Sequence, residues 1–68
     1  MTDVTFKSKD ARYFIAYFNS AKAIDAANVR FPKMLTIIDD AFGVIVSKGS
    51  MFPMKLWCNE HELIITEI

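Results

Sequence analysis

Cys58-Asn59-Glu60-His61-Glu62 is the stretch of this chain whose residue types and spacing suggest site chemistry. A thiolate and an imidazole three residues apart could share a zinc ion, with a carboxylate or a second chain completing the usual four ligands. The paired Cx2C or Hx3H elements of structural zinc sites do not occur, so no bound metal is expected. The same pair could act as nucleophile and base, given a third group to orient the imidazole and donors for an oxyanion. No GxSxG, P-loop, GxGxxG or HExxH pattern supports that chemistry. The expectation is a buried cysteine beside a solvent-facing turn histidine, with no catalytic residues, no cofactor and no implied small-molecule substrate. Asp39-Asp40 could hold a cation or meet a basic partner, but adjacent acids in a loop are more simply solvated turn formers.

Two further constellations point to binding. Lys7, Lys9 and Arg12 gather near Tyr13 and Tyr17, offering cations for phosphates and rings for stacking bases. Asp10 interrupts that cluster, and Lys22, Arg30, Lys33, Lys48 and Lys55 form no block, so nucleic acid stands as the alternative partner rather than the first. Arg12, Tyr13 and Tyr17 equally suit a protein interface, where arginine and tyrosine contribute disproportionately to binding. Phe52, Met54 and Trp57 complete the expected interface set. Met51-Phe52-Pro53-Met54 reads either as an adaptable contact loop or as an edge strand that contributes to the core.

Composition favours the protein partner. In 68 residues, 53% are hydrophobic, against roughly 45–50% in ordinary domains, although a chain this short can bury only about 60% of its unfolded surface. Some apolar side chains must stay outside the core, and an exposed apolar patch is commonly covered by a second copy or another protein. Eight Lys and Arg balance eight Asp and Glu, which excludes a global field for polyanions. One cysteine cannot form an internal disulfide, no apolar run reaches membrane length, and Met1-Thr2-Asp3 opens no signal peptide. The expectation is a single cytoplasmic domain over 1–68 with no membrane partner.

The elements that must position these residues read as α+β. Val4 and Phe6 alternate with polar neighbours, predicting a strand over Thr2 to Lys7. Ser8 is placed to cap a long helix over Lys9 to about Ala27, with Ala11, Phe14, Ile15, Phe18, Ala21, Ile24 and Ala26 on its buried side. Leu35 to Ile38 and Val44 to Ser47 then read as a hairpin closed by Gly43, with a helix from Pro32 to Phe42 as the rival. Gly49 supplies a turn with positive φ, Met54 to Cys58 forms a strand behind Pro53, and His61 to Glu67 forms the last strand. A capping box from Asn59 to Glu62 before a C-terminal helix is the weaker choice there.

The preferred fold is one long N-terminal helix on a small antiparallel sheet, β-α-β-β-β-β, with α-α-β-β-β as runner-up. Its expected work is binding a larger protein and occluding it, with self-association as a homodimer. Small phage-encoded or regulatory inhibitors share this size and composition. Because the surplus apolar strands fall late in the chain, the contact surface is expected within 35–68.

Overall fold

The structure is a computed structural model that describes residues 3–32, 35–38 and 42–68. The elements run β1 (Val4–Ser8), β2 (Tyr13–Phe18), α1 (Ala21–Arg30), β3 (Leu35–Ile38), β4 (Phe42–Ser47), α2 (Met51–Glu60) and β5 (Ile65–Glu67), with a 3-10 turn over Lys48–Ser50 before α2. The class is α+β, but the long N-terminal helix does not exist. Its first half is a strand, and the hydroxyl that caps α1 belongs to Ser20, which accepts from the Ala23 N–H at 3.2 Å.

The reason lies in a double pattern. Phe14, Ala16 and Phe18 face inward while Tyr13, Ile15 and Tyr17 face the other way, so strand alternation and helical spacing both fit the sequence. Aromatic and β-branched residues favour the strand. Asp10 then serves a turn rather than a helix, its Oδ1 accepting the N–H groups of Arg12 at 2.7 Å and Tyr13 at 2.9 Å. That local bond network closes the β1–β2 hairpin and pulls the Asp10 carboxyl below its ordinary range, chiefly through the Arg12 N–H.

The strand expected over Met54 to Cys58 is also overturned. Met54, Trp57 and Cys58 are the buried residues of a helix, at positions i, i+3 and i+4. Pro53 fits because it lies in the first turn, where its missing N–H leaves no intrahelical bond unmade. Gly49 has no positive φ and lies in the 3-10 turn. Asn59 is inside α2 rather than capping a new helix, and the last strand is confined to Ile65–Glu67.

The hairpin between β3 and β4 is present, with Leu35 opposite Ile45 and Ile38 opposite Phe42, so the rival helix over 32–42 is excluded. Gly43 belongs to β4 itself, opposite Tyr17. Asp39, Asp40 and Ala41 lie outside the described residues, as do Lys33 and Met34.

The sheet order is β3-β4-β2-β1-β5. Three pairings are antiparallel, while β1 and β5 are parallel, so the sheet is mixed. Both helices cover one face. Val4, Phe6, Phe14, Ala16, Phe18, Val44 and Val46 from the sheet form one core with Ile24, Ala27 and Phe31 from the α1 region and Met54, Trp57 and Cys58 from α2. Phe6 and Phe14 meet with centroids 5.1 Å apart, and Phe31 meets the Trp57 ring edge-on at 6.3 Å. Among the described residues no polar side chain is buried, and no helix is long and apolar enough to cross a membrane.

Candidate functional site

Cys58 and His61 share the end of α2 but make no common site. The Cys58 thiol is fully buried, and burial pushes its pKa from 9.0 up to about 11, which suppresses the thiolate that nucleophilic or metal chemistry needs. His61 turns back on the helix, its Nδ1 2.9 Å from the Trp57 carbonyl and its ring 4.3 Å from the Trp57 ring. It closes the helix end, its ring N–H adding a second donor to a carbonyl that also accepts the His61 backbone N–H at 3.1 Å. Among the described residues no three His, Cys, Asp or Glu side chains gather in a way that could hold a metal.

The six expected interface residues separate onto two sides of the sheet. Phe52 is 69% exposed on the outside of the helical layer. Met54, one turn away from solvent on the same helix, is fully buried, and Trp57 shows only 8% of its surface. Tyr13 and Tyr17 lie on the helix-free side of the sheet, and exposed Arg12 precedes them in the hairpin turn.

The helical layer carries a groove of about 340 Å³ lined by Arg30, Phe52, Pro53, Leu56, Trp57 and Glu60. Five of these belong to α2, at positions 52, 53, 56, 57 and 60, which is one stripe of a helix. Trp57 therefore serves twice, as core on one side and as groove lining on the other. Leu56 is 46% exposed, so the stripe is apolar between the two charged groups. Arg30 is held in place by its own neighbour, with the guanidinium carbon 4.7 Å above the Phe31 ring. Reading Met54 to Cys58 as a strand hides Leu56 and Glu60, although Phe52, Leu56 and Glu60 recur at i, i+4 and i+8, and Arg30 joins them only through the packing of α1 beside α2.

On the helix-free side, register places Lys7 opposite Ile15, Thr5 opposite Tyr17, and Ile15 opposite Ile45 on one surface. Tyr17 lies against Gly43, where a Cβ would come within 3.1 Å of its ring. This is the use of Gly43: it makes room for an aromatic ring on the sheet rather than turning the chain. At one end of this surface Lys48 joins the basic cluster, its N–H donating to the Arg12 carbonyl at 2.8 Å and its Nζ to Ser8 Oγ at 3.0 Å. No protein-family model matches the chain, and neither the curated proteins nor the solved structures provide a match. Fold and surfaces together define a two-layer α+β protein with one grooved helical side and one helix-free sheet side.

Proposed function

We propose that the protein is a non-catalytic, cytoplasmic protein-binding module that docks through its helical layer and blocks a partner by bulk. The observation that carries this reading is the groove beside Phe52 and Leu56. Two large apolar side chains stand 69% and 46% exposed along a concave apolar strip, where burial in a partner removes their contact with water. A charged pair frames the strip, with Arg30 from α1 and Glu60 from α2, and charges at such a rim set orientation more than affinity.

The same arrangement favours self-association. A two-fold axis across the groove lets Arg30 of one copy face Glu60 of the other, and the reverse, which is the reciprocity an isologous dimer requires. A standard interface takes about 800 Å² from each partner, about a sixth of the 4599 Å² surface of this chain.

Sedimentation over a concentration series, with the wild type and Phe52→Asp side by side, tests the proposal. The wild type should gain mass with concentration, and the variant should remain monomeric with an unchanged urea midpoint. A wild type that stays monomeric at high micromolar concentration removes the homodimer. Co-purification from the native cell then decides the rest, because a partner retained by Phe52→Asp as well as by the wild type places the contact elsewhere and overturns the groove.

A further inference from the structure

We propose that the helix-free side of the sheet binds single-stranded nucleic acid, with phosphates held at its basic end and bases resting on its tyrosines. This surface lies across the sheet from the groove, so the inference stands independently of the protein-binding reading.

The fold redistributes charge that the sequence balances. Lys7, Lys9, Arg12 and Lys48 come to one end of the β1, β2 and β4 strands, although Lys48 is 36 residues from Arg12 along the chain. Among the described residues the acidic side chains at this end are already engaged: Asp10 accepts two backbone N–H groups and lies 3.6 Å from Lys9 Nζ, and Glu67, beside Phe6 in the sheet, is paired with Lys55 of α2. Asp3, Glu60 and Glu62 belong to the opposite end, where β1 begins and α2 finishes. Overall neutrality therefore does not argue against a polyanion at this end, because counterion release depends on the few cations that touch phosphate.

The adjoining surface suits bases rather than a duplex. Tyr13 is 39% exposed, Tyr17 is half-buried against Gly43, and Ile15 lies between them on β2 with Ile45 of β4 opposite it. Four residues of strand separate the two tyrosines by about 13 Å. Rings presented on an open sheet beside cations form the stacking platform by which unpaired bases are held without sequence readout. A duplex hides those base faces. Charge complementarity selects the anion, and the rings select its single-stranded form.

Fluorescence anisotropy with a labelled 15-nucleotide oligothymidine and the matching oligouridine, at about 50 mM salt, tests the inference. Four phosphate contacts predict a slope of log affinity against log salt near −3, or about 50-fold weaker binding at about 200 mM. Arg12→Gln combined with Lys48→Gln should halve that slope. Tyr13→Ala should weaken binding by about 5- to 150-fold, the range for losing one stacked base, while Tyr13→Phe should retain it. Urea midpoints of all variants establish that they remain folded. Absence of binding at low salt overturns the proposal. So does equal affinity for a duplex or for heparin, or indifference to Tyr13→Ala, since each shows charge attraction without a base platform.

Discussion

Glu62 is the residue whose replacement should stabilise this protein. It has φ 59°, the left-handed conformation, at the position following the α2 cap. Two bonds define the helix ending: Leu63 N–H donates to the Cys58 carbonyl at 2.8 Å, and Glu62 N–H to the Asn59 carbonyl at 3.1 Å. This is the Schellman arrangement, which usually places glycine where Glu62 stands. An L-residue in that conformation crowds its Cβ against the carbonyl at a cost of about 1–2 kcal/mol. The Glu62 side chain is exposed, so little packing offsets the strain. Glycine relieves it but loses about 0.5–1 kcal/mol through its freer unfolded chain. Glu62→Gly should therefore gain about 0.5–1 kcal/mol, raising Tm by roughly 2–8 °C for a domain of this size. Urea and thermal unfolding measure the change, with Glu62→Ala as the control that keeps the Cβ. Either a Glu62→Gly variant no more stable than wild type, or an alanine variant that gains as much, would refute the argument from backbone strain.

Three other outcomes follow from packing and burial. Gly43→Ala should destabilise the wild type, because the new Cβ meets Tyr17 at 3.1 and 3.2 Å, yet stabilise a Tyr17→Ala background by about 0.5–1 kcal/mol; the same sign in both backgrounds contradicts the ring contact. Met54→Ala should cost about 2–5 kcal/mol in denaturant unfolding, a large part of the roughly 3–10 kcal/mol expected for a domain of this length. A loss under about 0.5 kcal/mol, the scale of surface substitutions, places Met54 outside the core. Cys58, raised from 9.0 to about 11, keeps its proton in the folded state after the unfolded chain has released it. Its contribution is complete below pH 9.0 and is lost progressively as pH rises to about 11, by about 3 kcal/mol in all. The stability of wild type minus that of Cys58→Ala should fall across that window, and parallel curves would remove the buried thiol as the cause.

What could be read from the sequence divides by periodicity. The strand around Val4 and Phe6 alternates cleanly, and the β-branched runs at Leu35 and Val44 pair as a hairpin. Tyr13 to Phe18 fails the same reading because it is apolar on both sides, which leaves strand and helix equally well patterned. The signal that separates them is Asp10, a turn former three residues before Tyr13, together with Ser20, whose hydroxyl marks where a helix can begin. Met54 to Cys58 is the opposite case: its short apolar run behind Pro53 reads as a strand, while the buried set 54, 57 and 58 follows helical spacing. The groove was lost with that assignment. The basic end was partly visible as Lys7, Lys9 and Arg12, but Lys48 reaches it only through the β2–β4 pairing, a non-local contact that residue spacing does not encode.

The bare side of the sheet follows from topology rather than from a shortage of helix. β2 and β3 are parallel with β4 between them, and α1 connects them; β4 and β5 are parallel with β2 and β1 between them, and α2 connects those. The first crossover moves toward the β3 edge and the second toward the β5 edge, from strands that point in opposite directions. A half-turn about the sheet normal converts one into the other, so two crossovers of the same hand must lie on the same face. Parallel crossovers are right-handed in nearly all cases. The chain order thus commits both helices to one side and leaves Tyr13, Ile15, Tyr17 and Ile45 uncovered on the other. Their apolar character is then not surplus core. It belongs to a sheet face that neither α1 nor α2 covers, so the same alternation that fills the core on one side leaves half-buried apolar side chains on the other.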